Sequence, residues 1–302
     1  MIRTVTGYRR LFDSGALEQR VAASYNHLST CDVCPLECSA DRISGKLGVC
    51  RTGIKAKVNS FCPHHGEEDP IRGWRGSGTI FFTRCNLKCQ YCQNHSISQI
   101  DSGEEVSPDD MANMMLRLQS YGCHNINFVS PSHVVPQIIA AVMIAVKAGL
   151  FIPLVYNSGG FDSLPMLVLL DGIIDIYMPD MKYGDSTIAQ IYSKIPNYLT
   201  VNQAAVREMH RQVGDLIIDR NGLAVRGLLV RHLVLPESLA GTKEIVNFLA
   251  EEISKDTYLN LMDQYRPSYH ADQYPELNRQ VLPIEHQEAI NMAINAGLNR
   301  FD

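Results

Sequence analysis

The chain has 302 residues, 45% hydrophobic and 20% charged, with 27 basic against 32 acidic side chains and a formal charge of −5. That composition supports a sizeable buried core and excludes wholesale disorder. A mildly acidic chain also lacks the overall electrostatic footprint of a nucleic-acid binder.

In chain order, residues 1–75 read as a loop-like, cysteine-rich region with one short helix near 16–28, and 76–302 as the main domain. The opening MIRTVTGYRR has no apolar core of the kind a secretory leader needs. From residue 76 the texture changes. Short runs rich in β-branched and aromatic residues predict strands at 79–83, 125–129, 152–156, 173–178, 227–235 and 258–262. Helical periodicity predicts helices between them, at 108–121, 134–148, 164–170, 187–210 in one or two pieces, and 242–254. The most apolar stretch, 134–146, is broken by Pro136 and Gln137 and falls short of the ~18 apolar residues of a membrane span. Asp219-Arg-Asn-Gly222 reads as a turn, 264–280 as a polar irregular segment, and 283–296 as a last helix stopped by Gly297. Strands alternating with helices make an α/β fold with a parallel sheet. Six such strands suit an open or partial barrel, with functional residues at the strand C-terminal ends. A cytoplasmic, reducing location is expected.

Nine cysteines, at 31, 34, 38, 50, 62, 85, 89, 92 and 123, all fall in the first half. In a reducing compartment such clustering points to metal or iron–sulfur ligation. The strongest signal is Cys85-Asn-Leu-Lys-Cys89-Gln-Tyr-Cys92, directly after the first predicted strand. Three thiolates can hold three corners of a four-iron cluster and leave one iron open. The alternative is a zinc site that borrows a histidine such as His95.

With Tyr91 before its third cysteine, this motif resembles that of the radical S-adenosylmethionine (SAM) enzymes. GSGTIFFTRCNLKCQYCQN, NINFVSPSHVVPQI, VYNSGGFDS, DIYMPDMKY, VRHLVLP and NLMDQYRP extend the resemblance over most of the chain. They are similar to the branch related to pyruvate formate-lyase-activating enzyme, in particular to relatives with an extra cysteine-rich N-terminus. The resemblance implies a partial (β/α)6 barrel, a 4Fe-4S cluster on Cys85, Cys89 and Cys92, and SAM on the open iron. It also implies cleavage of SAM to a 5′-deoxyadenosyl radical that takes hydrogen from a substrate, and an electron donor such as flavodoxin or ferredoxin. The substrate is open: a glycine of a partner enzyme, a peptide or a small molecule.

The resemblance further singles out residues at strand ends. Ser130, in Ser-Pro-Ser-His133, stands where the family binds SAM's amino group through backbone, although Ser-Pro-Ser is also a helix-capping turn. Asn157 and Ser158 match a polar pair after the third strand. Asp180 and Lys182 match an Asp-x-Lys in which the lysine meets SAM's carboxylate; the bland alternative is a surface ion pair. His270 stands where activating enzymes carry a ribose-contacting histidine, or is simply solvated. Arg231 and His232 lie in the fifth strand, Asn94 can bond a cluster sulfide or SAM, and Arg84 puts a cation before Cys85.

Cys31, Cys34, Cys38 and Cys50 form a second set, suited to zinc or an auxiliary iron–sulfur cluster. Around it Arg42, Lys46, Arg51, Lys55 and Lys57 run without an acid, either as a solvated face or as a docking patch. His65, Glu67 and Glu68 belong to the site or to a linker. Cys62 is a spare ligand and Cys123 a core thiol. Two other classes of function remain: a non-enzymatic two-cluster electron carrier, and a zinc-ribbon adaptor for nucleic acid.

Overall fold

Residues 6–301 are described in a computed structural model of the chain. The first five residues, where part of the leader and 1–75 readings falls, and the last residue lie outside the described residues. The N-terminal part forms α1 (Gly7–Asp13), α2 (Ala16–Asn26), a cysteine-bearing irregular segment, and β1 (Ala56–His64). After α3 (Asp69–Arg72) the repeating part begins with β2 (Ser77–Phe82), α4 (His95–Ser98), β3 (Glu104–Val106) and α5 (Pro108–Ser120). It continues through β4 (Ile126–Val129), α6 (Val135–Lys147), β5 (Leu154–Ser158), α7 (Leu164–Leu170) and β6 (Ile176–Pro179). Then come α8 (Ser186–Ser193), α9 (Tyr198–Val213), β7 (Ile217–Ile218), β8 (Ala224–Leu233), α10 (Thr242–Phe248), β9 (Tyr258–Met262), α11 (Pro283–Ala296) and β10 (Arg300–Phe301).

Six strands pair in parallel and in chain order, β2, β4, β5, β6, β8 and β9. This is a partial-barrel sheet, and it brings all six strand C-termini to one rim. Five helices, α2, α5, α7, α10 and α11, start at the predicted residue, and α7 and α11 match their predicted spans at both ends. The differences have local causes. Residues 56–64 form a strand, β1, antiparallel to β2, where a loop-like segment is expected. Its apolar residues Val58 and Phe61 are separated by two polar ones and Pro63 follows, so the run does not read as a strand. The sheet therefore crosses position 75–76. β5 begins at Leu154 because Pro153 has no N–H to give a ladder, and it extends to Ser158. β6 begins at Ile176 because Ile173 is tied back to the Leu170 carbonyl at the end of α7. The segment 187–210 is two helices, broken at Lys194, which has φ 60°, and Pro196.

The apolar run that looks most membrane-like is α6, and ten of its thirteen residues are buried. It packs between α5 on one side and α1 and α2 on the other. Among the described residues no helix is long and apolar enough to cross a membrane. The main core lies between this layer and the sheet, with Phe82 and Phe128 stacked at 6.3 Å. Phe128→Ala is expected to cost about 3–5 kcal/mol, and Ile284→Ala, at a position 60% exposed, no more than about 0.5 kcal/mol. The midpoints of urea unfolding check both, and equal losses would contradict this placement of the core.

Candidate active site

The loop leaving β2 carries Cys85, Cys89 and Cys92 on a backbone that is tied down throughout. The amides of Lys88 and Gln90 donate to the Ser193 and Tyr192 carbonyls, at 3.2 and 2.7 Å. Asn86 Nδ2 donates to the Phe161 carbonyl at 2.6 Å. Each sulfur has a polar neighbour: the Leu87 N–H at 3.4 Å from Cys85, the Ser193 hydroxyl at 3.0 Å from Cys89, and Ser98 Oγ at 3.2 Å from Cys92. Burial pushes the Cys85 thiol up to about 12; the other two cysteines add to this, whereas Lys182 opposes it. Cys89 shifts the same way, again by burial, with Lys182 opposing. A metal that binds these thiols has to take their protons. Among the described residues no three Cys, His, Asp or Glu side chains already converge as a single-ion site.

Lys182 comes from the turn after β6. Its Nζ lies 2.6 Å from Asp180, and Asp180 lies 2.9 Å from Arg231 on β8. Burial disfavours the Asp180 carboxylate, but the two cations outweigh it and hold its pKa below the usual range. The turn is clamped from several sides. Tyr198 OH accepts the Lys182 N–H, and Asn202 donates to the Asp180 carbonyl. His232 Nδ1 donates to the Met181 carbonyl at 2.6 Å, and its Nε2 accepts from Thr242. Burial pushes His232 down to about 4, so this latch is neutral. Gly160, with φ 71°, allows the approach: a Cβ there would stand 2.1 Å from the Asp180 carbonyl.

Below this turn Arg231 gathers further acids. Its Nη2 donates to Asn157 Oδ1 at 2.7 Å, and Glu67 and Glu68 lie 3.6 and 3.9 Å away. Asn127 on β4 donates to Glu67, and Asn260 on β9 to Glu68, both at 3.0 Å. Glu68 Oε2 and Asn127 Oδ1 are buried without a partner. A polar column thus runs through the barrel, from the segment before α3 to the thiol loop. At the rim a cleft of about 200 Å³ is lined by Cys89, Tyr91, Cys92, Asn94, Lys182, Arg231 and Met262, among others. A larger hollow, about 550 Å³, lies at the other strand ends near Pro153, Asp175 and Val225 and holds no cysteine.

The expected residues divide accordingly. Tyr91, Asn94, Asp180 and Lys182 meet the thiols at the cleft, with the Tyr91 ring edge-on to Tyr183 and Tyr265. Asn157 reaches the cleft through Arg231. Ser130 has φ 60° and donates its N–H to the Asn157 carbonyl at 2.9 Å. The Ser158 hydroxyl is taken up by Asp162, at 2.6 Å, and by the Gly160 amide. His270 gives its backbone N–H to the Gln90 carbonyl, while its ring faces Gln273. Arg84 turns to the Gln99 carbonyl and to Asp101, so Lys182 is the cation that acts on the thiols. His65 is exposed, whereas Glu67 and Glu68 are central. The basic run is not one face: Arg42 is buried and Lys57 pairs with Asp101. Tyr198, Asn202 and Thr242 gave no signal in the sequence, since only the fold brings them to the turn.

Residues 79–218 match the family model of the radical SAM superfamily. An uncharacterized protein of Methanocaldococcus jannaschii is 30% identical over 287 residues, covering 92% of this chain and 78% of the relative. The chain belongs to the radical SAM superfamily. A second uncharacterized protein of that archaeon is 25% identical over 294 residues, covering 89% and 78%. A radical SAM methyltransferase from Sphaerobacter thermophilus shares the fold at a TM-score of 0.51 and 11% identity, over 80% of this chain and 76% of that one. A domain of a pyruvate-formate lyase-activating enzyme from Bacteroides vulgatus aligns over 53% of this chain and 84% of its own, at 15% identity and a TM-score of 0.37. Radical SAM membership carries with it a 4Fe-4S cluster and SAM. The donor set fits them: three thiols on a fixed loop, each with a polar neighbour, two of them lining a cleft that also holds the pinned Lys182.

Burial raises Glu67 from 4.5 to about 7; Arg231 and Asn127 pull down, Glu68 and Asp180 push up. Between these values the unfolded carboxyl is ionised while the folded one keeps its proton, so stability falls as pH rises. Wild type is expected to lose about 3 kcal/mol relative to Glu67→Gln across pH 4.5–7 and nothing more above it. Chemical unfolding of both proteins against pH checks this, and a flat difference would contradict it.

Proposed function

We propose that the chain cleaves SAM reductively and uses the resulting radical to take hydrogen from a substrate. The observation that supports this is Lys182, held by Asp180 at the edge of the cleft while acting on Cys85 and Cys89. An electron carrier has no need of a buried, clamped lysine at its metal loop. Cys85, Cys89 and Cys92 would hold the cluster, and Lys182 would bind SAM's carboxylate. When bound, the cluster and SAM supply a one-electron cleavage to methionine and a 5′-deoxyadenosyl radical.

The chain's own residues do the positioning. Asp180 fixes Nζ of Lys182 and sustains its charge against burial, while Arg231 helps to hold Asp180 ionised. Tyr91, Tyr183 and Tyr265 form an apolar wall at the thiol loop that excludes water. Asn94 offers an amide at the mouth of the cleft. The partner is a one-electron donor such as a flavodoxin or ferredoxin. Hydrogen abstraction is the reaction class; activation of a glycyl-radical enzyme is one member of it.

Cys89→Ala is expected to lose the iron–sulfur absorbance of this site after anaerobic reconstitution. Lys182→Ala should keep that absorbance and bind SAM about 1–3 kcal/mol more weakly. Iron counts and equilibrium dialysis check both. Unchanged SAM affinity in Lys182→Ala would sink the assignment.

A further inference from the structure

Arg42 is fully buried in the cysteine-bearing segment between α2 and β1. Its Nε donates to the Gly53 carbonyl and its Nη1 to the His133 carbonyl, both at 2.9 Å. Nη1 also lies 3.8 Å from Cys31 Sγ, and Nη2 has no hydrogen-bond partner. None of these contacts is to a carboxylate. A guanidinium keeps its proton at any physiological pH. A buried charge is retained only beside a counter-charge.

Cys31 belongs to a set able to supply one. Cys31, Cys34 and Cys50 are buried and Cys38 half-buried in the same segment. At three of the four, the backbone N–H two residues on is aimed at the sulfur: Val33 at Cys31, Leu36 at Cys34, Ala40 at Cys38. The loop of the radical SAM cysteines uses the same turn at Cys85 and Leu87. Gly48 lets the backbone close on Cys38, where a Cβ would stand 2.3 Å from Sγ. Glu37, Ser39 and Arg51 hold positive φ next to Cys38 and Cys50, as Arg84 does next to Cys85. Strain of this kind persists where a site over-determines its backbone. Among the described residues the thiols do not converge on one ion position; what marks the segment is the buried guanidinium of Arg42 beside Cys31 and the close approach of Gly48 to Cys38.

We propose that Cys31, Cys34, Cys38 and Cys50 hold a second metal centre as thiolates, zinc or an iron–sulfur cluster, with Arg42 as its buried counter-charge. Binding takes a proton from each thiol and releases it to solvent. Four thiolates with a divalent ion or a four-iron core of like charge leave a net charge of about −2 beside the guanidinium. Arg42 also ties this centre to the other cysteine loop. It holds the His133 carbonyl, and His133 Nε2 donates to the Thr83 carbonyl at 3.1 Å, two residues before Cys85. The proposal does not depend on SAM chemistry.

The test uses the full chain carrying Cys85→Ala, Cys89→Ala and Cys92→Ala, made with zinc and iron supplied and purified without oxygen. Elemental analysis should find one zinc, or about four irons with sulfide, per chain. Adding Cys31→Ala and Cys34→Ala should remove it. Arg42→Met should release the metal to a chelator about tenfold faster. A variant with wild-type circular dichroism that holds neither metal would overturn the proposal, as would metal that survives loss of Cys31 and Cys34, or unchanged release from Arg42→Met. Should the starting variant fail to fold, wild type decides: zinc beside four irons, or about eight irons, supports the second centre, and about four irons alone refutes it.

Discussion

Burying Asp180, Glu67 and Glu68 around Arg231 and Lys182 is the constraint on which the site depends. Three carboxylates and two cations share the interior of the barrel. Such a group is tolerable only if its members satisfy one another. Asn127, Asn157 and Asn260 line the remaining faces, and the Asp180 turn is clamped by Tyr198, Asn202 and His232. The outcome at the rim is that Lys182 is held in place beside Asp180.

The thiol loop meets that lysine because the parallel sheet delivers successive strands to one rim. β2 ends in the cysteines, β6 in Asp180 and Lys182, and β8 supplies Arg231 two residues before its end. The loop is bound on three sides, to Tyr192 and Ser193 at α8, to Phe161 after β5, and to His270. Its sulfurs are therefore positioned by backbone rather than by each other.

Much of this was legible in the residues. The six parallel strands, the helices α5, α6, α7 and α11, and the pairing of Cys85–Cys92 with Asp180 and Lys182 follow from periodicity, spacing and resemblance. β1 was not, because its apolar residues do not alternate and Pro63 interrupts them. The roles of Glu67 and Glu68 were only half legible, since carboxylates 60 and 192 residues from their asparagine partners in sequence give no local sign of burial. Arg42 looked like one more cation in a solvated run, and its burial is visible only once His133 and Gly53 close over it.

The most direct test of the account is 5′-deoxyadenosine formation. The reconstituted chain, given SAM with and without dithionite, should release the nucleoside only when reduced, and SAM should alter the spectrum of the reduced cluster. A chain with about four irons per site that gives neither product nor a SAM-induced spectral change would contradict it.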